Sequence, residues 1–242
     1  MTGDYRVGRW LPLALAILAA LLLLAAGPGT RLELWGFRTG FVLLRWGAYL
    51  GIAAAVLAIL FLLLRPRAGA FPLILALLLG AGTAFVPWRW MRRARALPPI
   101  HDITTDTERP PAFVAVLPLR ANAPNPVVYG GSEIAEAQRQ GYPDIQPLAL
   151  DASPGAAFAR ALAAAEAVDW ELVAADSAAG RIEATATTAW FGFKDDIVVR
   201  ITPAGGGSRV DVRSVSRVGK SDVGANAERI RDYLGRVASL SP

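Results

Sequence analysis

The sequence predicts a two-part membrane protein, with a bundle of three transmembrane helices followed by a soluble α+β domain. Three apolar runs lie within the first ninety residues, at 10–26, 41–64 and 70–86. Each approaches or exceeds the roughly 20 residues that cross a bilayer. No such run follows, and from residue 153 onward the pattern is typical of a sheet flanked by two helices.

The boundaries follow from composition. Residues 1–96 are the predicted transmembrane region and residues 113–242 the soluble domain. Residues 97–112 are interpreted as a linker, because proline pairs at 98–99 and 110–111 bracket a polar stretch. Paired prolines hold a chain extended and prevent helix formation.

The first apolar run could be a cleaved signal peptide, but we interpret it as a retained helix. Leu24 precedes Ala25 and Ala26, which gives a poor cleavage site, and two further spans follow. In the second span Gly47 and Gly51 are four residues apart. We expect such small residues to allow close packing among the three helices rather than dimerisation.

The net charge of +5 is unevenly distributed. Residues 1–100 hold eleven arginines against Asp4 and Glu33, which gives +9. Residues 101–242 hold 14 basic and 18 acidic side chains, which gives −4. Arginines beside helix ends are typical of contact with lipid headgroups, so the lipid bilayer is a predicted partner. A negative soluble domain is a poor binder of polyanions, which excludes nucleic acid.

The residue inventory limits the chemistry. The chain has no cysteine and one histidine, His101, which excludes disulfides, thiolate metal sites and any site that needs two imidazoles. Neither a phosphate-binding glycine loop nor a nucleophile elbow is present. We therefore expect no catalytic residues, no cofactor and no metal, and the sequence favours a binding role over an enzymatic one.

Regular elements are predicted in the soluble domain. A short helix is expected at 132–140, and Ser153 and Pro154 begin an alanine-rich helix as N-cap and first-turn residue. Strands are expected at 169–175, 181–188, 196–202 and 209–216, and a last helix from Ser221 or Asp222. These elements predict a four-stranded antiparallel sheet with helices on one face.

The last strand and last helix carry the best candidate site. Because side chains alternate along a strand, Arg213 and Arg217 share one face and Ser214 and Ser216 the other. The chain then reaches a helix N-terminus, where unpaired N–H groups attract anions. The candidate ligand-binding residues are Arg213, Arg217, Lys220, Ser221, Asp222, Asn226 and Arg229.

The same residues have a structural interpretation, which we favour. An Arg–Asp–Asn network would lock the last strand to the last helix, with Ser221 or Asp222 capping that helix. Asp195 and Asp196 are adjacent in a strand and must point to opposite faces. They cannot act as an acid–base couple, and we expect one of them to pair with Arg213 or Arg217.

Three sequence motifs resemble the domain-of-unknown-function family 1499. They are IHDITTDTERPPAF at 100–113, FKDD at 193–196 and RSVSRVGKSDVGANAERI at 213–230. The resemblance covers most of residues 100–240 and implies a membrane-anchored bacterial or plastid member, without implying an activity. Other members carry a Pro-Asn-Cys-Val-Ser-Ser-like segment. Residues 124–128 here read PNPVV, so no role of that thiol transfers.

Two arguments about orientation disagree. With a cytoplasmic N-terminus, the inner side holds Arg6, Arg9, Arg65 and Arg67, and the outer side holds Arg31, Arg38, Arg89, Arg92, Arg93 and Arg95. The positive-inside rule prefers the reverse, which places the domain in the cytoplasm. Exported members of the family imply a periplasmic domain instead. We follow the resemblance and predict a multi-pass protein of the bacterial inner membrane with a periplasmic domain.

The functional prediction is a membrane-anchored binding or accessory module that acts at the membrane surface on a small anionic ligand or a membrane protein partner. Two alternatives stay open. One is an enzyme acting on an anionic substrate through Arg213, Arg217, Asp222 and Asn226. The other is a carrier that holds a lipid or another apolar ligand between the sheet and the last helix.

Overall fold

The computed structural model describes residues 8–64, 70–168 and 170–240. It divides into two compact units, one of residues 1–93 with Ala189–Gly192, the other of residues 94–188 with 193–242. Arg6, Arg65, Arg67 and Asp169, which enter the sequence interpretation, lie outside the described residues.

The first unit contains three helices long and apolar enough to cross a membrane. They are α1 (Leu11–Arg31), α2 (Phe37–Leu64) and α3 (Ala70–Ala96), which confirms the three predicted spans and indicates a membrane-associated protein. Helices α1 and α3 continue past their apolar runs, α2 begins four residues before its run, and α3 passes through Pro87 into a tryptophan- and arginine-rich end.

Glycines bring the three helices together. A Cβ at Gly47 would lie 3.0 Å from the Ala19 carbonyl oxygen of α1, and one at Gly51 would lie 2.7 Å from the Gly80 carbonyl oxygen of α3. The buried side chains around these crossings are small or aliphatic, namely Leu13, Ala16, Ala54, Ala58, Leu73 and Ala76. Gly47 and Gly51 therefore serve packing within one chain.

The second unit is built on an antiparallel sheet. Its strands are β1 (Asp102–Thr104), β2 (Leu148–Leu150), β3 (Trp170–Asp176), β4 (Arg181–Thr187), β5 (Lys194–Ala204) and β6 (Gly207–Ser216). The order is β1-β6-β5-β4-β3, with β2 also paired to β6. The α+β class and the antiparallel pairing are confirmed, whereas the predicted number of four strands is wrong.

The two missed strands are three residues long, too short to show an alternating pattern. Both pair with β6, with Asp102 opposite Val215 and Leu150 opposite Ser208. Strand β1 falls inside the segment interpreted from sequence as a linker. That segment is thus partly a strand of the sheet.

Helices α5 (Pro154–Glu166) and α6 (Ala225–Ser239) pack on one face of the sheet. Ser153 caps α5 as predicted, since its hydroxyl accepts a hydrogen bond from the Ala156 N–H. Helix α4 (Gly131–Gly141) lies beside β1, where the Gln138 side chain bonds both the N–H and the carbonyl of Thr104.

Helix α6 begins at Ala225 rather than at the predicted Ser221 or Asp222. The side chains of Ser221 and Asp222 accept hydrogen bonds from the N–H groups of Val223 and Gly224 in a preceding turn. Gly224 has φ +84°, which favours glycine at this position. Because of this turn, the helix begins three to four residues later than predicted.

The opposite face of the sheet is covered by residues 105–130, which we call the strap. The strap is irregular apart from a 3₁₀ turn at Leu117–Arg120. Its Phe113 and Val116 pack on Val198 and Val215 of the sheet. The sheet is therefore buried on both sides, an arrangement that the predicted one-sided domain did not include.

Candidate functional site

Arg213 lies on the strap face of β6 and is 4% exposed. Its Nε and Nη2 atoms donate to the two carboxylate oxygens of Asp102, at 3.0 and 2.7 Å. The rest of the guanidinium contacts the strap, namely the carbonyls of Pro111 and Val127 and the rings of Phe113 and Tyr129. This predicted site residue is thus enclosed by partners from β1 and the strap.

Arg217 shares the carboxylate of Asp196 with a second arginine. Arg217 donates to Asp196 from Nε and Nη2 at 2.9 and 2.8 Å, and Arg120 donates from Nη1 at 2.5 Å. Thr185 adds a hydroxyl hydrogen bond at 2.7 Å. Asp196 therefore pairs with Arg217, one of the two arginines that the sequence proposed for it.

The hydrogen-bonded cluster of Arg120, Asp196 and Arg217 contains two cations and one anion. Burial disfavours the charge of Asp196, but hydrogen bonds from Arg217, Thr185 and Arg120 outweigh it and lower its pKa. One carboxylate thus serves two guanidinium groups. Hydrogen bonding to Asp196 raises the pKa of Arg217 against burial, and the charge of Glu171 adds to the increase. Arg217 therefore remains a cation at any physiological pH.

Arg217 borders a shallow cleft that is largely open to solvent. Its side chain is 17% exposed and lines a space of about 250 Å³ together with the strap residues Pro118, Leu119, Ala121, Asn122, Ala123 and Pro124. The walls are mostly apolar, with the guanidinium at one side. Arg217 is the predicted site residue that both pairs with the buried Asp196 and lines the cleft.

The helix face of β6 carries a separate network centred on Asn226, which is fully buried. Its amide accepts from the Ser214 hydroxyl at 2.7 Å and donates to the Ser216 hydroxyl and the His101 carbonyl, both at 3.0 Å. Arg229 joins the network through Asn226 and Ser214. These bonds fasten β6 to α6, as the structural interpretation expects.

Arg229 also pairs with Asp195, with 2.6 Å between Nη2 and Oδ2. Asp195 therefore serves the helix face while Asp196 serves the strap face. The sequence predicted this division, because neighbouring strand residues point in opposite directions. The two carboxylates therefore have different partners, Arg229 for Asp195 and Arg217 for Asp196.

The N-terminus of α6 is already occupied by a carboxylate of the chain. Asp222 accepts from the N–H groups of Gly224 and Asn226 at 2.8 and 2.9 Å. Burial raises the pKa of Asp222, and the nearby Asp195 charge acts in the same direction. Lys220 is exposed and Ser221 half-buried in the loop before it. The anion position that the sequence offered to a ligand is thus taken by Asp222.

The seven predicted residues fall into four places. Arg213 lies under the strap and Arg217 beside the cleft, whereas Asp222, Asn226 and Arg229 form the network on the helix face. Lys220 and Ser221 lie in the loop between β6 and α6.

Sequence analysis missed Asp102, Arg120 and Glu183 as members of these clusters. Glu183 is fully buried, and its carboxylate accepts hydrogen bonds from three successive strap N–H groups, those of Val114, Ala115 and Val116, at 3.0–3.1 Å. One signal for Arg120 was available, since it is the sole charged residue between positions 110 and 132. A lone charge in such a stretch indicates a specific partner.

Comparison with protein families gave one match, to the family described as protein of unknown function (DUF1499), over residues 102–237. No curated protein and no solved structure matches the chain. The matched region runs from β1 into α6 and includes the ion pairs of Asp102, Asp195 and Asp196. Because the match covers more than half of the chain and agrees with the resemblance in its motifs, this protein belongs to the DUF1499 family.

Proposed function

We propose that the chain is a membrane-anchored binding or accessory module whose α+β domain takes a small anionic ligand at the cleft beside Arg217. The observation that carries this proposal is that the guanidinium groups of Arg120 and Arg217 share the carboxylate of Asp196 as a hydrogen-bond acceptor. Arg217 is the member of that cluster that reaches the cleft. An anion there would balance the second guanidinium.

The cleft suggests the class of ligand. Its volume of about 250 Å³ is below the range of roughly 300–1,000 Å³ that is usual for drug-sized ligands. Leu119 and Pro118 supply apolar walls, while Arg217 supplies a fork suited to a carboxylate or phosphate. The proposed ligand is therefore small, with one anionic group and a short apolar part.

The other predicted site residues serve the scaffold in this proposal. Arg213, Asn226 and Arg229 already bond to buried partners, and Asp222 caps α6. The enzyme alternative needs Arg213 and Arg217 to act with Asp222 and Asn226. The two arginines lie on the strap face of the sheet, whereas Asp222 and Asn226 lie on its helix face, which favours binding over joint catalysis.

Thermal unfolding of the detergent-solubilised full chain tests the proposal. Inorganic phosphate or acetate, added at constant ionic strength, should raise the Tm of the wild type, because a ligand that binds the folded state stabilises it. Arg217→Gln should abolish the increase, since Asp196 keeps Arg120 and Thr185 as partners and the fold is retained. The matched control, Arg236→Gln, changes an exposed arginine on α6. An equal increase in all three proteins would overturn the proposal.

We further propose that the protein resides in a bacterial inner membrane with the domain in the periplasm. The family resemblance supports this placement and the arginine count opposes it. A reporter that is active only in the periplasm, fused after Pro242, should be active. Activity of a cytoplasmic reporter at the same position, with a silent periplasmic one, would show the reverse orientation.

A further inference from the structure

The exposed charges of the strap, Glu108 and Arg109, both precede Pro110, and the outer surface of the strap beyond that proline carries no strap charge. Arg120, the one charged side chain between positions 110 and 132, is buried against Asp196. Of six exposed large hydrophobic side chains in the described part of the second unit, four lie on this strap and only Leu172 and Leu240 lie elsewhere. The four are Val114, Leu117, Leu119 and Val128, between 43 and 77% exposed. We call these four side chains together the apolar strap surface.

This surface is held rigidly from below. Glu183 binds the backbone at Val114, and Arg120 fixes the turn that carries Leu117 and Leu119. Arg213 donates to the carbonyl of Val127, the residue before Val128. Because Phe113, Val116 and Val127 pack inward, their neighbours point outward. The exposed side chains are thus positioned by buried charges and need no refolding to meet a partner.

We propose that the apolar strap surface rests on the lipid bilayer to which the chain is anchored. The chain has three helices apolar enough to cross a membrane, so the domain is tethered beside a bilayer. Tethering sets a high effective concentration, and a contact of low intrinsic affinity then suffices. A charged group is costly to move toward hydrocarbon, and this surface has none.

The chemistry of the surface favours lipid over a protein partner. Energetically important residues of protein interfaces are enriched in tryptophan, tyrosine and arginine. The exposed large side chains here are leucine and valine, which partition into apolar surroundings without needing a matching pocket. The inference goes beyond the proposed anion site, because the contact requires nothing at Arg217.

The experiment uses the absence of cysteine from the sequence. Val128→Cys in the full chain gives one labelling site for an environment-sensitive fluorophore, at a side chain that is 77% exposed. Ala163→Cys is the matched control, exposed on α5 and therefore on the other side of the sheet. Both proteins are placed in nanodiscs of phosphatidylcholine with or without brominated acyl chains, which quench fluorophores that reach the bilayer.

We expect brominated lipid to quench most of the emission at position 128 and little at position 163. Adding Leu117→Glu to the Val128→Cys protein should restore the emission, because the new carboxylate opposes insertion and Leu117 does not line the cleft beside Arg217. Three results would overturn the inference: no quenching at 128, equal quenching at both positions, or quenching at 128 that Leu117→Glu leaves unchanged. A probe at 128 that is shielded from aqueous iodide yet unaffected by brominated lipid would indicate a covering protein and would also overturn it.

Discussion

Asp102 and Arg213 are joined by two parallel hydrogen bonds across 111 residues of sequence. Asp102 is 5% and Arg213 4% exposed, so water cannot replace either partner. The pair fastens the first strand of the domain to the last one and positions both limbs of the strap, at Pro111 and Val127. The pair stabilises the fold only while both partners are present, because either charge alone would be buried without compensation.

Arg213→Met should destabilise the domain by about 3–5 kcal/mol, because it leaves the Asp102 carboxylate buried without its partner. Thermal melting of the full chain in detergent measures this. Asp102→Asn combined with Arg213→Met should recover part of the loss, since the uncompensated charge is then absent. Arg236→Met, at an exposed position on α6, is the control. If Arg213→Met had the same Tm as Arg236→Met, the pair would be dispensable for stability.

Glu183→Gln should loosen the strap without unfolding the sheet. The amide can accept through one oxygen only, whereas the carboxylate accepts from Val114, Ala115 and Val116 with two. Hydrogen bonds to a charged group contribute about 1.5–3 kcal/mol each. We expect faster hydrogen exchange at the amides of residues 114–116, measured by mass spectrometry. Glu171→Gln, exposed on β3, should leave that exchange unchanged; if it accelerates exchange equally, Glu183 does not hold the strap.

Asp222 should make the domain relatively more stable in mild acid. Burial raises its pKa in the folded state, so folding favours the proton. Its contribution is therefore fully present below the unfolded pKa of about 4 and is lost as the pH rises through the folded pKa. The Tm of the wild type relative to Asp222→Asn should rise as the pH falls from 7 toward 4. A constant difference would contradict the raised pKa.

Asp196 should behave in the opposite way. Hydrogen bonds outweigh burial and lower its folded pKa, so its contribution is present above the unfolded pKa and is lost as the pH falls through the folded one. The Tm of the wild type relative to Asp196→Asn should stay level from pH 7 to about 4 and shrink below that. A difference that shrinks already near neutral pH would show that Asp196 is not held ionised.

Gly51→Val should destabilise the helical unit. A Cβ at this position would lie 2.7 Å from the Gly80 carbonyl oxygen, and a backbone atom cannot move aside as a side chain can. Gly82→Val is a matched control, because a Cβ at this position would meet no atom within 4 Å outside its own stretch of helix. The two variants should differ in the amount of monodisperse protein recovered in detergent. Equal recovery would show that the α2–α3 crossing tolerates a wider spacing.

The sequence predicted the elements that depend on the length, hydropathy and periodicity of a single segment. The three spans follow from length and hydropathy, and β3 to β6 from alternation over seven or more residues. Alternation also separated Arg213 from Ser214 correctly. Strands β1 and β2 could not be found in this way, since three residues show no period.

The partners of the charged residues were beyond sequence reasoning for a different reason. Asp102 finds Arg213, and Arg120 finds Asp196, through a strap that crosses the sheet with no repeating pattern. Which arginine pairs with a given carboxylate depends on the path of this irregular segment, and the sequence shows no pattern that predicts the path. Only the adjacency of Asp195 and Asp196 carried directional information, and there the expectation that one pairs with Arg213 or Arg217 agreed with the structure.

The position of β6 has a consequence for biosynthesis. It is the last strand to leave the ribosome, yet β1, β2 and β5 all pair with it. Strand β1 must therefore wait, without its partner strand, until about a hundred further residues are made, and closing so long a loop is slow. A chain that stalls before Gly207 would keep its membrane helices while β1 and β2 lacked the strand that both pair with. Such a product would be held at the membrane as a substrate for proteases instead of persisting as a partial domain.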